Sequence, residues 1–173
     1  MSDLAAKIQH LLDLEEIKQL KYKYCRYNDG GWHGQPLTHQ GPSHELFTED
    51  GVWDGNPVAR AEGREAIRKL FDQFAGQVMN YHAVTNPIIE IEGDFARAHW
   101  HLIAGRHGRD LQTGPVALAG GDSPTYTSVL SVAGYEDEYV RTPDGWRIKL
   151  MRLIWGRKAV LVNPWTEAMP ELT

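Results

Sequence analysis

Residues 80–104 read NYHAVTNPIIEIEGDFARAHWHLIA. Two strand-like runs, Asn80–Ile91 and Ala96–Ala104, flank the turn Glu92-Gly93-Asp94, which is the pattern of a β-hairpin. Toward the C-terminus, Gly105–Ser123 is Gly-rich without a clear period and is expected as a long loop. Tyr126–Arg141 reads as a third strand. Pro143-Asp144-Gly145 makes a turn into a fourth, Trp146–Trp155, where Trp146, Ile148 and Leu150 alternate with Arg147 and Lys149. Toward the N-terminus, Gly63 opens a helix over Arg64–Phe74, with Ile67, Leu70, Phe71 and Phe74 on one face. Gly51–Gly55 is a short strand and turn, and Ser43–Phe47 a short helix. Leu4–Tyr27 repeats at helical spacing through Leu4, Ile8, Leu11, Leu12, Leu14, Ile17, Leu20, Tyr24 and Tyr27, and Asn28-Asp29-Gly30-Gly31 stops it. Helices placed ahead of hairpin-linked strands indicate an α+β domain. A curved antiparallel sheet wrapped over the long helix leaves a cavity between the layers.

The chain has 173 residues, 42% hydrophobic and 24% charged, which fits one domain over 1–162 and an irregular tail over 163–173. Six Trp and seven Tyr supply large surfaces with polar tips, suited to pocket walls as well as to a core. The net charge is −5 and no basic stripe occurs, which argues against nucleic acid as a partner. No apolar run is long enough to span a bilayer, no signal peptide is visible, and the single Cys25 suits a reducing cytoplasm as a buried, inert thiol. His99-Trp100-His101 and the loop histidines His33, His39 and His44 lack accompanying ligands, so no metal is expected. Gly120-Gly121 is in no strand-to-helix context and makes no phosphate loop.

Several motifs in order carry a resemblance. These are IKQLKYKYCRYND (residues 17–29), LFTEDGVW (46–53), GREAI (63–67), YHAVTNP (81–87), IEIEGDFA (89–96) and DGWRI (144–148). Together they resemble the SnoaL-like branch of the NTF2-like (cystatin-like) superfamily. The resemblance implies a cone in which a long N-terminal helix and two shorter ones pack on the curved sheet around a pocket. Members include scytalone dehydratase, dehydrochlorinase, bile-acid dehydratase, isomerase-like and polyketide cyclase-like enzymes. They also include the small subunits of ring-hydroxylating dioxygenases.

Matched residue by residue, the lyases' shared Asp falls on Asp29, their His on His82, and the aromatic residue one turn before the Asp on Tyr24. Trp53 falls where a bulky side chain follows the second short helix. Trp100 is a further wall candidate. The second acid-base position of the dehydratases falls near Arg106 or His107, which departs from the family pattern; the pair could also meet an anionic group at the pocket mouth. The implied chemistry needs no cofactor: His82 as base, Asp29 holding its tautomer, and Tyr24 donating to an oxygen. The expected ligand is a small, mostly apolar cyclic molecule, hydroxylated or keto, of steroid, terpenoid, aromatic or polyketide type. Two other readings remain open: a non-catalytic binding module, and a partner subunit. Open sheets of this kind cover their outer face by self-association, so a homodimer or homotrimer is expected.

Overall fold

A computed structural model describes residues 3–31, 38–75, 79–109 and 126–162. His33, Gly120-Gly121, the tail from Asn163, and much of the expected loop over Gly105–Ser123 lie outside the described residues. Helix α1 (Asp3–Asn28) leads through a 3-10 turn (Ser43–Leu46) to β1 (Phe47–Asp54) and β2 (Arg60–Glu62). Helix α2 (Arg64–Phe74) and the strands β3 (Met79–Glu92), β4 (Phe95–Arg109), β5 (Tyr126–Thr142) and β6 (Gly145–Val162) complete the chain. The strands form one curved, unclosed sheet in the order β2-β1-β6-β5-β4-β3, with the helices against its inner face. All neighbours are antiparallel except β1 and β6, which run parallel.

Several boundaries differ from the expectation, among them the start of β1, which takes in Phe47 and begins four residues before Gly51. Strand β4 continues through Gly105–Arg109, because pairing with β5 out to Tyr126 supplies ladder bonds that a lone Gly-rich segment lacks. Strand β6 likewise runs on past Trp155 by pairing with β5. Strand β2 is three residues long, too short for a periodic signal.

The core lies between α1, α2 and the inner sheet face, and holds Ile17, Phe47, Ile67, Trp100, Tyr139, Ile148 and Met151. Two charged pairs fix α1 on the sheet. Arg141 grips both oxygens of Asp13 at 2.8 and 2.6 Å. Lys21 Nζ meets Asp137 Oδ2 at 2.9 Å, both side chains fully buried, and lies 3.3 Å from the centre of the Tyr135 ring. Residues 3–12 of α1 are exposed throughout, including the apolar side chains Leu4, Ile8, Leu11 and Leu12. Among the described residues, no helix is long and apolar enough to cross a membrane.

A bulge decides which side chains of β3 face inward. Thr85 pairs with His101 and Ile88 with His99, so Asn86-Pro87 opposes Trp100 alone. Asn86 has φ 52°, a left-handed conformation that Asn tolerates. The extra residue switches the alternation. Ile89 and Ile91 lie opposite Ala98 and Ala96 on the inner face, while beyond the bulge Asn80, His82 and Val84 take that face opposite Arg106, Ala104 and Leu102.

Candidate functional site

The end of α1 is tied to the start of β3 by a two-way backbone bridge. Gly30 N–H donates to Asn80 O at 3.0 Å, and Asn80 N–H to Gly30 O at 3.1 Å. Asp29 is thereby set beside His82. One carboxylate oxygen lies 2.6 Å from His82 Nδ1, and the other accepts from the His82 backbone N–H at 3.2 Å. A carboxylate at Nδ1 fixes the proton there, so Nε2 carries the lone pair and is the ring nitrogen left for a ligand. The two side chains are 13% and 9% exposed.

His82 lines a cleft with about 90 Å³ of free space, walled by Tyr24, Trp53, Phe71, Phe74, Leu102 and Tyr135. Trp53 Nε1–H donates to Tyr24 Oη at 3.0 Å, which leaves the Tyr24 hydroxyl proton to donate elsewhere. Burial holds the Tyr24 phenol well above its ordinary pKa, so it stays protonated and a donor. Burial likewise raises the Tyr135 phenol. Cys25 is buried behind Tyr24, with its thiol pushed up to about 12 by desolvation.

Sequence reasoning treated His39 as a loop histidine; it stands in the cleft wall. Its Nδ1 lies 2.9 Å from Asn28 Oδ1 and its Nε2 3.1 Å from Asn80 Nδ2. Asn80 Nδ2 can only donate, so Nε2 accepts and Nδ1 carries the proton. This neutral tautomer agrees with a pKa pulled down to about 3, first by burial and then by the nearby His82 and Arg106. Asn28, fully buried, organises the group: its Oδ1 also accepts from Ser43 Oγ, and its backbone O from Asn80 Nδ2. His39 has φ 57°, a rare conformation that the network holds in place. The Asn28, His39 and Asn80 group had no periodic signal; only the Asn-Asp-Gly-Gly helix end pointed toward it.

Of the remaining candidates, Trp53 and Arg106 line the cleft and two do not. Trp100 is 2% exposed and packs in the core beside Lys21, below the cleft floor. His107 follows Arg106 on β4 and so faces the other side of the sheet, where its Nδ1 lies 2.8 Å from Ser128 Oγ. Arg106 therefore occupies the inward end of β4. His99 and His101 are exposed on the outer face, and among the described residues no group of three or more His, Cys, Asp or Glu is placed to hold a metal ion.

Residues 9–152 match the SnoaL-like domain. No curated protein matches the chain. Among solved structures, an NTF2-like protein with a cystatin-like fold from Novosphingobium aromaticivorans is 26% identical, with 90% of this chain and 89% of that one covered and a TM-score of 0.61. A scytalone dehydratase candidate from the same species is 18% identical, with coverages of 88% and 90% and a TM-score of 0.67. A hexachlorocyclohexane dehydrochlorinase from Novosphingobium barchaimii is 14% identical, with coverages of 95% and 99% and a TM-score of 0.71. These likenesses establish the shared shape.

Proposed function

The chain belongs to the SnoaL-like domain family, and from that premise we propose that it is a lyase of the dehydratase type, or an isomerase, acting without a cofactor on a small cyclic hydroxylated or keto compound. The observation that carries the reading is the 2.6 Å contact between His82 Nδ1 and Asp29, in a cleft of aromatic side chains. Two solved neighbours bear names of elimination enzymes, which agrees with this reading.

In the proposed reaction His82 Nε2 takes a proton from carbon. The C–H electron pair becomes the new double bond, or, in an isomerisation, an enolate to which His82 Nε2 returns the proton at a different carbon. Asp29, held by two contacts, stabilises the imidazolium and acts as a positioning residue. The Tyr24 hydroxyl donates a hydrogen bond to the oxygen that gains charge. In a dehydration the departing hydroxyl takes the proton back from His82 Nε2 and leaves as water, so the imidazole is regenerated.

A screen of cyclic alcohols, ketones and epoxides with wild type, His82→Ala and Asp29→Asn tests the reading. Turnover is expected to fall about 10²- to 10⁴-fold in His82→Ala and measurably in Asp29→Asn. Equal rates in all three proteins would remove the dyad. Ligands that bind and emerge unchanged would favour a binding module.

A further inference from the structure

Arg106 stands apart from the other cations of the interior. Lys21 is paired with Asp137, and Arg141 with Asp13. Arg64 donates to the Phe47 carbonyl. Arg106 lines the cleft, largely removed from water, and among the described residues it has neither a carboxylate partner nor a hydrogen bond. A guanidinium keeps its charge in proteins, and removing it from water without a counter-ion is unfavourable unless something arrives to meet it.

Its neighbours define what that is. Arg106 is paired across the strands with Asn80 and lies diagonally from His82, two residues along β3. In an antiparallel pair these positions are about 5 and 7–8 Å apart. Asn80 is 1% exposed, and among the described residues its Oδ1 has no hydrogen-bond partner. Turning the amide over does not relieve this, because Nδ2 is needed by the Asn28 carbonyl and by His39 Nε2. The wall thus presents one cation without a counter-ion, and the amide oxygen a strand's width away limits how much negative charge can be placed beside it.

We propose that Arg106 is the recognition residue for a carboxylate, and that the natural ligand is a single-ring carboxylic acid. The planar fork of Arg fits a carboxylate with two parallel hydrogen bonds. A phosphate dianion is disfavoured, because Arg106 is the only Lys or Arg among the described lining residues and the Asn80 oxygen and the Asp29 carboxylate stand nearby. Size follows from space: about 90 Å³ is less than the ~150 Å³ that encloses benzene, so the space between the described residues favours a ligand no larger than a single ring. This rests on the reading above only for the location of the site.

The test is calorimetric titration at pH 7.5 with benzoate and cyclohexanecarboxylate against the neutral benzamide and cyclohexanecarboxamide. Wild type is expected to prefer the acids by at least ~10-fold, in line with a charge-assisted bidentate contact. Arg106→Gln is expected to lose the preference and Arg106→Lys to keep part of it, with thermal melts confirming that both are folded. Arg157→Gln, a change in the neighbouring groove, is expected to leave the preference intact. Equal affinity for acid and amide in wild type, no binding of either at 10 mM (on the order of a fragment's weakest useful affinity), or an unchanged preference in Arg106→Gln would each overturn the proposal. Turnover that depends on His82 without carboxylate preference sinks this inference alone. Carboxylate preference retained in His82→Ala, with no turnover that depends on His82, sinks the base instead.

Discussion

His39 shows how single atoms set the chemistry of the cleft. Its tautomer is fixed at both ring nitrogens, so it has no lone pair for a ligand and cannot compete with His82 as base. Its folded-state pKa of about 3 lies below the ordinary 6.5. The unfolded chain therefore binds a proton between pH 6.5 and 3 that the folded chain refuses. The stabilisation is complete above about 6.5 and is lost as pH falls toward 3, at up to ~1.4 kcal/mol per pH unit. Chemical denaturation from pH 7 to 4 is expected to show that slope in wild type and a shallower one in His39→Gln. The Asp29 and His82 pairing was implied by the family resemblance that the YHAVTNP and helix-end motifs carry, not by the spacing of the two residues. His39 was not, because its place depends on Asn28 and Asn80, 11 residues before and 41 residues after it in the chain.

At the scale of elements, the long helix and the four long strands follow from periodicity, while the details that aim the site do not. Alternation carried back unbroken from Ile91 and Ile89 would put His82 on the outer face. The Asn86-Pro87 bulge reverses it, and a proline inside a strand is the only sequence mark of that reversal. A second bulge, on β6, sets Trp155 and Gly156 against Ala133. A side chain at Gly156 would meet the Val132 carbonyl at 2.1 Å, so only glycine permits the approach that places Trp155 at the cleft rim. The buried Lys21 and Asp137 join α1 to β5 under Tyr24 and Tyr135. Burial pulls the Lys21 pKa down and the Asp137 pKa up, against their mutual attraction. Removing one partner leaves the other charge uncompensated, so Lys21→Met is expected to lose about 3–5 kcal/mol in urea unfolding. The double variant Lys21→Met with Asp137→Leu is expected to recover much of it; a loss below ~1 kcal/mol in the single variant would show that the pair is not what holds α1 there.

At the scale of the whole molecule, a curved sheet has two faces, and among the described residues the helices cover the inner one. On the outer face Ile103, Leu130, Val132 and Ile154 are 41–57% exposed on adjacent strands. We propose that a second or third copy covers them, giving a homodimer or homotrimer. Light scattering at micromolar concentration is expected to report two or three times 19.6 kDa, and Val132→Lys to shift the mass toward the monomer with unchanged circular dichroism. A monomeric wild type would reject that assembly. The inner face carries the central claim, that a histidine held by an aspartate removes a proton from carbon inside an aromatic cleft. The most direct measurement is deuterium uptake from D₂O into the acidic C–H positions of a panel of cyclic ketones, followed by NMR. Wild type is expected to exchange at least one of them ~10²-fold or more faster than His82→Ala. Exchange in wild type no faster than in His82→Ala, across the whole panel, would contradict the account.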